Sequence, residues 1–126
     1  NVEEALVNLT DLSPSQRKNR IAELMDQTGL SKSLLDTPVR KLSGGEQRRL
    51  ALLRSLSISP EFLILDEVTA GLDLISTEAV LQLLEKYEQE HDCAYLVITH
   101  DIQVASRLCE VICEIEHGKF TKKAVR

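Results

Sequence analysis

The segment FLILDE (residues 62–67) decides the fold, because a run of four apolar residues there follows Pro60 and ends in two acids. A continuous apolar run of strand length between turn-forming and charged residues is typical of a strand buried on both faces of a parallel sheet. The segment AYLVITHD (94–101) repeats this form, and apolar residues at helical spacing occupy the interval at 75–90. The order strand, helix, strand predicts a βαβ connection.

The segments that follow continue this alternation. Residues 102–109 have a helical pattern, and VICEIEHGKFTKK (111–123) is typical of a strand, a tight turn at His117-Gly118 and a short final strand. Strand, helix, strand, helix, strand together predict an α/β fold with βαβ connections and a parallel sheet.

The segments before FLILDE are helical. Residues 2–9 are a short helix candidate, and a longer helix begins after Ser13, which can cap it, and stops at Gly29. Residues 30–41 are rich in turn-forming residues and predict a short connection. The first part of the chain is therefore expected to be an α-helical unit.

The composition gives no support for binding to nucleic acid or for a membrane-spanning segment. The net charge is −5, which gives no electrostatic reason to expect nucleic acid, because binding a polyphosphate usually needs a basic face. The apolar run at 62–65 has four residues, far short of the roughly 20 that a membrane span needs. Association with a membrane is therefore expected only through a partner protein.

Ionisable side chains follow both predicted strands. Asp66 and Glu67 follow the first strand, and His100 and Asp101 follow the second. Ligands of open parallel sheets gather beyond the carboxyl ends of the strands. The first acid can hold Mg²⁺ through waters, the second can take a proton from a water that attacks a phosphate, and an imidazole can donate to a phosphate oxygen.

The segment LSGGEQRR (42–49) leads into a helical pattern at 46–57. The apolar residues of this pattern cover more than one stripe, as in a helix buried on several sides. Gly44 and Gly45 lie where this helix begins, and Ser43 adds a hydroxyl donor. A helix start with bare backbone N–H groups binds anions. A glycine-rich capped turn is the alternative. We interpret the missing side chains as room for a phosphate, or for another chain that carries one.

In this combination the sequence resembles the nucleotide-binding domain of ATP-binding cassette (ABC) proteins. Four of its segments resemble family motifs, in the family's order: LSGGEQRR the signature motif, FLILDE the Walker B motif, TAGLD (69–73) the D-loop, and His100 in ITHD the switch histidine. The resemblance implies a partial P-loop NTPase-type parallel sheet. Residues 1–58 would form the α-helical signature subdomain, and residues 59–126 the C-terminal part of the ATPase core.

The resemblance implies ATP and Mg²⁺ as cofactors. Asp66 would organise the Mg²⁺ ion, Glu67 would act as general base for the attacking water, and His100 would contact the γ-phosphate. These are the residues that the strand ends already single out.

The resemblance also implies contacts between subunits, because such domains dimerise head to tail with two ATP molecules between them. Ser43, Gly44, Gly45 and Glu46 would contact the ATP held by the opposite subunit. Asp73 would lie in the segment that links the two sites.

Three positions depart from the family pattern. Glu46 and Arg48 stand where Gln is commoner, and Val68 stands where Pro is usual. These changes leave the resemblance intact. We interpret Arg48 and Arg49 as a solvated or interdomain face rather than a phosphate clamp.

One family motif is missing from the sequence. No G-x-x-x-x-G-K-[ST] segment occurs, so the phosphate-cradling Walker A loop is absent, as are the adenine-stacking aromatic and the Q-loop glutamine. We expect these elements upstream of Asn1. Because phosphoryl transfer depends on positioning, the chain alone is expected to be inactive, whereas a full-length parent would be an ATPase.

Among ABC proteins, the stretch from residue 71 to 119 looks most like the ATP-binding subunits of bacterial oligopeptide, dipeptide and nickel importers. The implied partners are a second ABC ATPase subunit, identical or paralogous, and membrane permease subunits. The implied location is cytoplasmic, peripheral on the inner face of the cell membrane. The alternatives are a translation factor, a DNA repair or chromosome maintenance ATPase, and a catalytically inert interaction fragment.

Overall fold

The computed structural model of the chain describes residues 2–124, so Asn1, Val125 and Arg126 lie outside the described residues. The helices and strands confirm the predicted order to within a few residues at each boundary. In chain order they are α1 (Val2–Leu9), α2 (Pro14–Thr28), two short 3-10 helices (Lys32–Asp36 and Val39–Lys41), α3 (Gly44–Ser57), β1 (Phe62–Asp66), α4 (Leu74–Glu90), β2 (Ala94–Ile98), α5 (Ile102–Leu108), β3 (Val111–Glu116) and β4 (Lys119–Ala124).

The ends of α2 are fixed by the residues that the sequence singles out. Ser13 accepts a hydrogen bond from the backbone of Gln16, and the Gln16 side chain accepts one from the backbone of Ser13, which makes a capping box. At the other end, Gly29 has a left-handed backbone with φ of 64°. Glycine adopts this conformation without steric cost, so the helix stops there.

Strands β1 and β2 form the predicted parallel pair. Their register runs from Phe62 opposite Ala94 to Asp66 opposite Ile98, and α4 makes the connection between them. Leu65 and Val97 lie on the face that packs against the helices. The carboxyl ends of the two strands therefore meet at one edge of the sheet.

The other face of this sheet is open, so the prediction of burial on both faces does not hold within the described residues. The side chains of Phe62, Ile64, Leu96 and Ile98 are 55%, 59%, 48% and 48% exposed. The helices described here cover the opposite face of β1 and β2. A continuous apolar run shows that both faces of a strand are apolar, but it does not show what covers each face.

The position of β3 also differs from the prediction. The sequence order predicts it in the parallel sheet, but it pairs with β4 in a separate antiparallel hairpin, from Val111 opposite Ala124 to Glu116 opposite Lys119. The turn at His117 and Gly118 has φ of 49° and 74°, as the tightest hairpin turns require. The predicted strand, turn and strand are confirmed. A partner so close along the chain satisfies the backbone groups of β3 locally.

One hydrophobic core joins the helices to the parallel strands. It includes Leu24 of α2, Leu53 of α3, Leu65 of β1, Val80 of α4 and Val104 of α5, all nearly inaccessible to solvent. The core therefore continues across the boundary at residue 58 that the sequence suggests between two subdomains.

Helix α3 buries one broad face in this core. Leu52, Leu53 and Leu56 are buried, whereas Ala51 and Arg54 are exposed, so the prediction of a helix buried on several sides is wrong. In the described part of the chain, no helix is both long enough and apolar enough to cross a membrane.

Candidate active site

The end of β1 brings Glu67 next to the end of β2. The backbone N–H of Glu67 donates to the carbonyl of Ile98 at 2.9 Å, which extends the strand pairing by one step. Glu67 has a φ of 46°, in the left-handed region that residues other than glycine seldom adopt. Such a backbone persists only where its surroundings hold it, and it is common at functional sites.

Glu67 and His100 form a direct pair. The Nδ1 atom of His100 lies 2.9 Å from Oε1 of Glu67, and the two side chains are 81% and 38% exposed. This hydrogen bond, together with the negative charge of Glu67, raises the pKa of His100. The structure thus brings together the two side chains that the sequence singles out at the two strand ends.

Because Glu67 raises the pKa of His100, we expect Glu67→Gln to lower that pKa towards the ordinary value of about 6.5. In the wild-type protein, as long as the Glu67 carboxylate is ionised, the pair stabilises the fold fully below about pH 6.5, and this contribution is lost as the pH rises through the higher pKa of His100 in the folded state. NMR titration of the His100 ring protons in both proteins measures the change.

A matched control for this titration is Asp101→Asn. Asp101 is a minor cause of the raised pKa of His100, and it caps α5 by accepting a hydrogen bond from the backbone of Gln103 at 2.8 Å. Asparagine caps helices as well as aspartate does, so α5 should persist. An Asp101→Asn shift as large as the Glu67→Gln shift would contradict the assigned cause.

Asp66 lies at the same edge and is available to a cation. Its side chain is exposed and makes no hydrogen bond or ion pair with the residues that the structure describes. Within residues 2–124 no group of three or more His, Cys, Asp or Glu side chains could hold a metal ion. A single free carboxylate nevertheless fits Mg²⁺, which is usually bound through one or two carboxylates, waters and the phosphates of a substrate.

The signature segment begins α3 through a second capping box. The backbone N–H of Glu46 donates to Ser43 Oγ at 3.2 Å, and the backbone N–H of Ser43 donates to Glu46 Oε2 at 2.8 Å. The bond from the Ser43 backbone is the main reason that the pKa of Glu46 is lowered. The first two helical residues, Gly44 and Gly45, keep backbone N–H groups that have no acceptor within the helix.

The two glycines have different surroundings. A Cβ atom on Gly44 would meet no atom within 4 Å, whereas a Cβ atom on Gly45 would lie 2.6 Å from Ser76 Oγ and 3.2 Å from Ser76 Cβ. At Gly45 the bare backbone is therefore closely approached by a residue of the same chain, Ser76. Only Gly44 faces open space.

Asp73 caps α4 and holds Ser76 in place. Its Oδ1 accepts from the backbone N–H of Ser76 at 2.8 Å, and its Oδ2 accepts from the Ser76 hydroxyl at 3.1 Å. The bond from the Ser76 backbone is the main cause of a lowered pKa for Asp73. Ser76 was not singled out from the sequence, although an aspartate just before a helix is itself a capping signal.

Arg48 has a specific partner rather than only solvent. Its Nη2 donates to the carbonyl oxygen of Ala70 at 3.0 Å, in partly buried surroundings. This bond joins α3 to the TAGLD segment. Of the two alternatives for Arg48, a solvated or an interdomain face, this contact between the segments on either side of residue 58 agrees with the interdomain one.

Helix α5, which begins just after His100, is fastened to α4 by Arg107. The Arg107 guanidinium donates through Nε and Nη2 to both carboxylate oxygens of Glu85, each at 2.8 Å, and through Nη1 to Glu78 at 2.6 Å. A guanidinium that grips two carboxylates in this way has a fixed orientation. The orientation of α5 relative to α4 is fixed accordingly.

The sequence profile of the ABC transporter family matches residues 1–70. Among curated proteins, the nickel import ATP-binding protein NikE of Escherichia coli K12 is 34% identical over 122 residues, which are 97% of this chain and 46% of the relative. NikE of Shigella boydii serotype 4 is 34% identical over 119 residues, 94% of this chain and 44% of the relative. The chain thus spans about half the length of these relatives.

The chain is also similar to solved structures of ABC transporter proteins. A bacterial ABC transporter cassette, MJ0796, solved as a dimer, matches with a TM-score of 0.82 and 30% identity over 99% of this chain and 56% of its own. The cbiO1 protein of Clostridium perfringens, part of the ABC transporter complex cbiONQ, matches with a TM-score of 0.84 and 28% identity over 99% of this chain and 49% of its own. The chain belongs to the ABC transporter family.

Proposed function

We propose that this chain supplies the signature helix, the Walker B acids and the switch histidine of an ATP-hydrolysing subunit of an ABC transporter. The observation that carries the proposal is the 2.9 Å pair between Glu67 and His100 at the edge where β1 and β2 end. A MJ0796 cassette matches over 97% of this chain in a post-hydrolysis state with ADP and Pi, which supports ATP as the nucleotide.

The roles at this edge follow from the chemistry of the three side chains. Glu67 takes the proton of the attacking water as general base, and the pair with His100 holds its carboxylate at the strand end. Asp66 is the free carboxylate that would hold Mg²⁺, which neutralises charge on the phosphates when bound. The Nε2 atom of His100 has no partner among the described residues and is left to contact the γ-phosphate.

The start of α3 contacts the ATP that is bound by a second ABC ATPase subunit. The open space at Gly44, the exposed Ser43 and the unpaired backbone N–H groups of the first turn leave room for a phosphate. Glu46 holds Ser43 at this helix start through their capping box. Asp73 belongs to the segment that links the two ATP sites. The dimeric form of the MJ0796 cassette supports this arrangement.

The transporter is an importer of the nickel or peptide type. The identity of 34% to NikE, a nickel import ATP-binding protein, supports this class. The second ATPase subunit is identical or paralogous, and the permease subunits lie in the membrane. The subunit itself is cytoplasmic and peripheral on the inner face of the membrane.

The chain is the C-terminal part of a longer cassette, with a signature subdomain at 1–58 and part of the ATPase core at 59–126. The relatives are about twice as long as the matched region, which leaves room for a Walker A segment. The open face formed by Phe62, Ile64, Leu96 and Ile98 is where that remaining part of the core packs. Apolar side chains half exposed on one sheet face are typical of a surface that a partner element covers.

A dimerisation assay tests the role of the signature helix. In the full-length cassette with Glu67→Gln, which is expected to keep ATP bound, we expect ATP to drive dimerisation. Adding Gly44→Asp should weaken this dimerisation about tenfold or more, because a carboxylate at the open position would face the partner's γ-phosphate. Analytical ultracentrifugation with and without ATP measures the effect.

The control for the dimerisation assay is Ala51→Asp, which adds the same charge to an exposed position of the same helix. It should leave ATP-driven dimerisation unchanged. Equal dimerisation by the Gly44→Asp protein would contradict the contact with a second subunit.

The 126-residue chain alone should show no Mg²⁺-dependent ATP hydrolysis, and measurable turnover by it would contradict the need for a Walker A segment.

A further inference from the structure

A series of hydrogen bonds runs from the second turn of α3 to the catalytic pair. Arg48 Nη2 donates to the carbonyl of Ala70 at 3.0 Å, and the backbone N–H of Ala70 donates to the carbonyl of Glu67 at 3.0 Å. The Glu67 side chain then meets His100 Nδ1 at 2.9 Å. The peptide groups of Ala70 therefore connect Arg48 to the turn that carries Glu67.

A second contact joins the same two parts of the chain. Gly45, in the first turn of α3, lies so close to Ser76 that a Cβ atom would be 2.6 Å from the Ser76 hydroxyl. Ser76 is in turn held by both carboxylate oxygens of Asp73. The first two turns of α3 therefore contact the loop before α4 and the first turn of α4 at two separate points.

The turn at residues 67–70 needs such a support. Glu67 has a φ of 46°, a backbone conformation that costs energy in any residue except glycine. The bond from Ala70 to Glu67 closes the turn, but both groups belong to the turn itself. Among the hydrogen bonds of the described residues, the bond from Arg48 fastens the far end of this turn to a helix of the core.

We infer that Arg48 is a positioning residue: by holding the carbonyl of Ala70, it fixes the turn that presents Glu67 to His100. A guanidinium suits this task, because its hydrogen bond to a carbonyl is strengthened by its charge and its donors have a rigid geometry. The catalytic consequence of this positioning rests on the proposed function, whereas the structural consequence does not.

Hydrogen exchange of single backbone amides tests the structural consequence on the full chain. Arg48→Ala should make the Ala70 amide exchange about five- to tenfold faster, because the turn loses the bond that fastens it to α3. The Leu84 amide in the buried part of α4 serves as reference and should not change. Equal acceleration at Ala70 and Leu84 would show general destabilisation and overturn the inference, as would no acceleration at Ala70.

Two further variants sharpen this exchange experiment. Arg54→Ala removes the same charge from the same helix at an exposed position, where the arginine only reaches Glu4 at 3.8 Å, and it should leave Ala70 exchange at the wild-type rate. Arg48→Lys keeps the charge and a donor, and its Ala70 exchange should lie between those of wild type and Arg48→Ala. A lysine variant as fast as the alanine variant would count against a role of the donor.

The catalytic consequence is tested in the full-length cassette. Arg48→Ala should lower kcat about threefold or more and leave the KM for ATP unchanged, because Glu67 is displaced while the nucleotide site is not. An unchanged kcat together with faster Ala70 exchange would overturn the positioning role. If the wild-type cassette hydrolyses no ATP, the proposed function fails, and the exchange experiment still decides whether Arg48 holds the turn.

Discussion

Glu67→Gln is expected to abolish ATP turnover by the full-length cassette, with a loss of about 10²- to 10⁴-fold in kcat, and to leave ATP binding intact. Glutamine has nearly the same shape as glutamate, so the strand end and its backbone bond to Ile98 should persist. It cannot accept the proton of an attacking water, because its amide is not a base. The measurements are steady-state ATP hydrolysis and equilibrium nucleotide binding.

The matched control is Glu61→Gln, which makes the same chemical change just before β1, at the opposite end of the strand from Glu67. Its side chain is exposed, so we expect turnover within about twofold of wild type. A cassette in which Glu67→Gln hydrolyses ATP at the wild-type rate would remove Glu67 as the base. Loss of nucleotide binding in the same variant would instead indicate a role in holding the nucleotide.

The second large effect is on the free energy of unfolding, and we expect it to differ between the two glycines of the signature segment. Gly45→Ala should destabilise the fold by about 1–3 kcal/mol relative to Gly44→Ala, since only the Cβ atom at position 45 would clash with Ser76. Both variants gain the helix propensity of alanine, up to about 1 kcal/mol, so this gain cancels in the comparison. Urea unfolding of the two proteins gives the difference in the free energy of unfolding.

Removing the Ser76 hydroxyl tests whether the contact with Ser76 is what destabilises the Gly45→Ala variant. The double variant Gly45→Ala with Ser76→Ala should recover part of the lost stability, because the atom at 2.6 Å is gone while Ser76 Cβ, at 3.2 Å, remains in the way. Ser76→Ala alone loses the hydroxyl bond to Asp73, so the recovery is measured against that single variant in a double-mutant cycle. Equal stability of Gly44→Ala and Gly45→Ala would contradict the close contact.

Local signals in the sequence were sufficient for most of the fold. Ser13 and Gly29 mark the two ends of α2 by the rules of helix capping, and the turn at His117-Gly118 marks the hairpin. These signals are readable because they act between residues close in the chain. The parallel pairing of β1 and β2 follows from the intervening helix.

The open sheet face and the separate β3–β4 hairpin could not be predicted in this way. An apolar run such as FLILDE is identical whether its second face is covered or exposed, and the order of strands does not say which neighbour β3 chooses. Both outcomes depend on which other elements are present to pack, which is a tertiary property.

The candidate site likewise has features that the sequence predicts and contacts that it does not. Glu67 and His100 were predictable, because each follows a strand and the ends of adjacent parallel strands meet. The bond from Arg48 to Ala70 spans 22 positions, and the packing of Gly45 on Ser76 joins two helices, so neither leaves a periodic signal in the sequence. The general role of the glycines as bare positions was predictable, but the different neighbour of each was not.

The contact between Gly45 and Ser76 also constrains the order in which the two positions can diverge. A change of Gly45 to a residue with a side chain is expected to be most deleterious while serine occupies position 76, and less so after position 76 has become smaller. A change such as Ser76→Thr first would close that route, because it adds atoms beside the same gap. The two sites are thus epistatic, and mutational scans made in different starting sequences should disagree most about position 45.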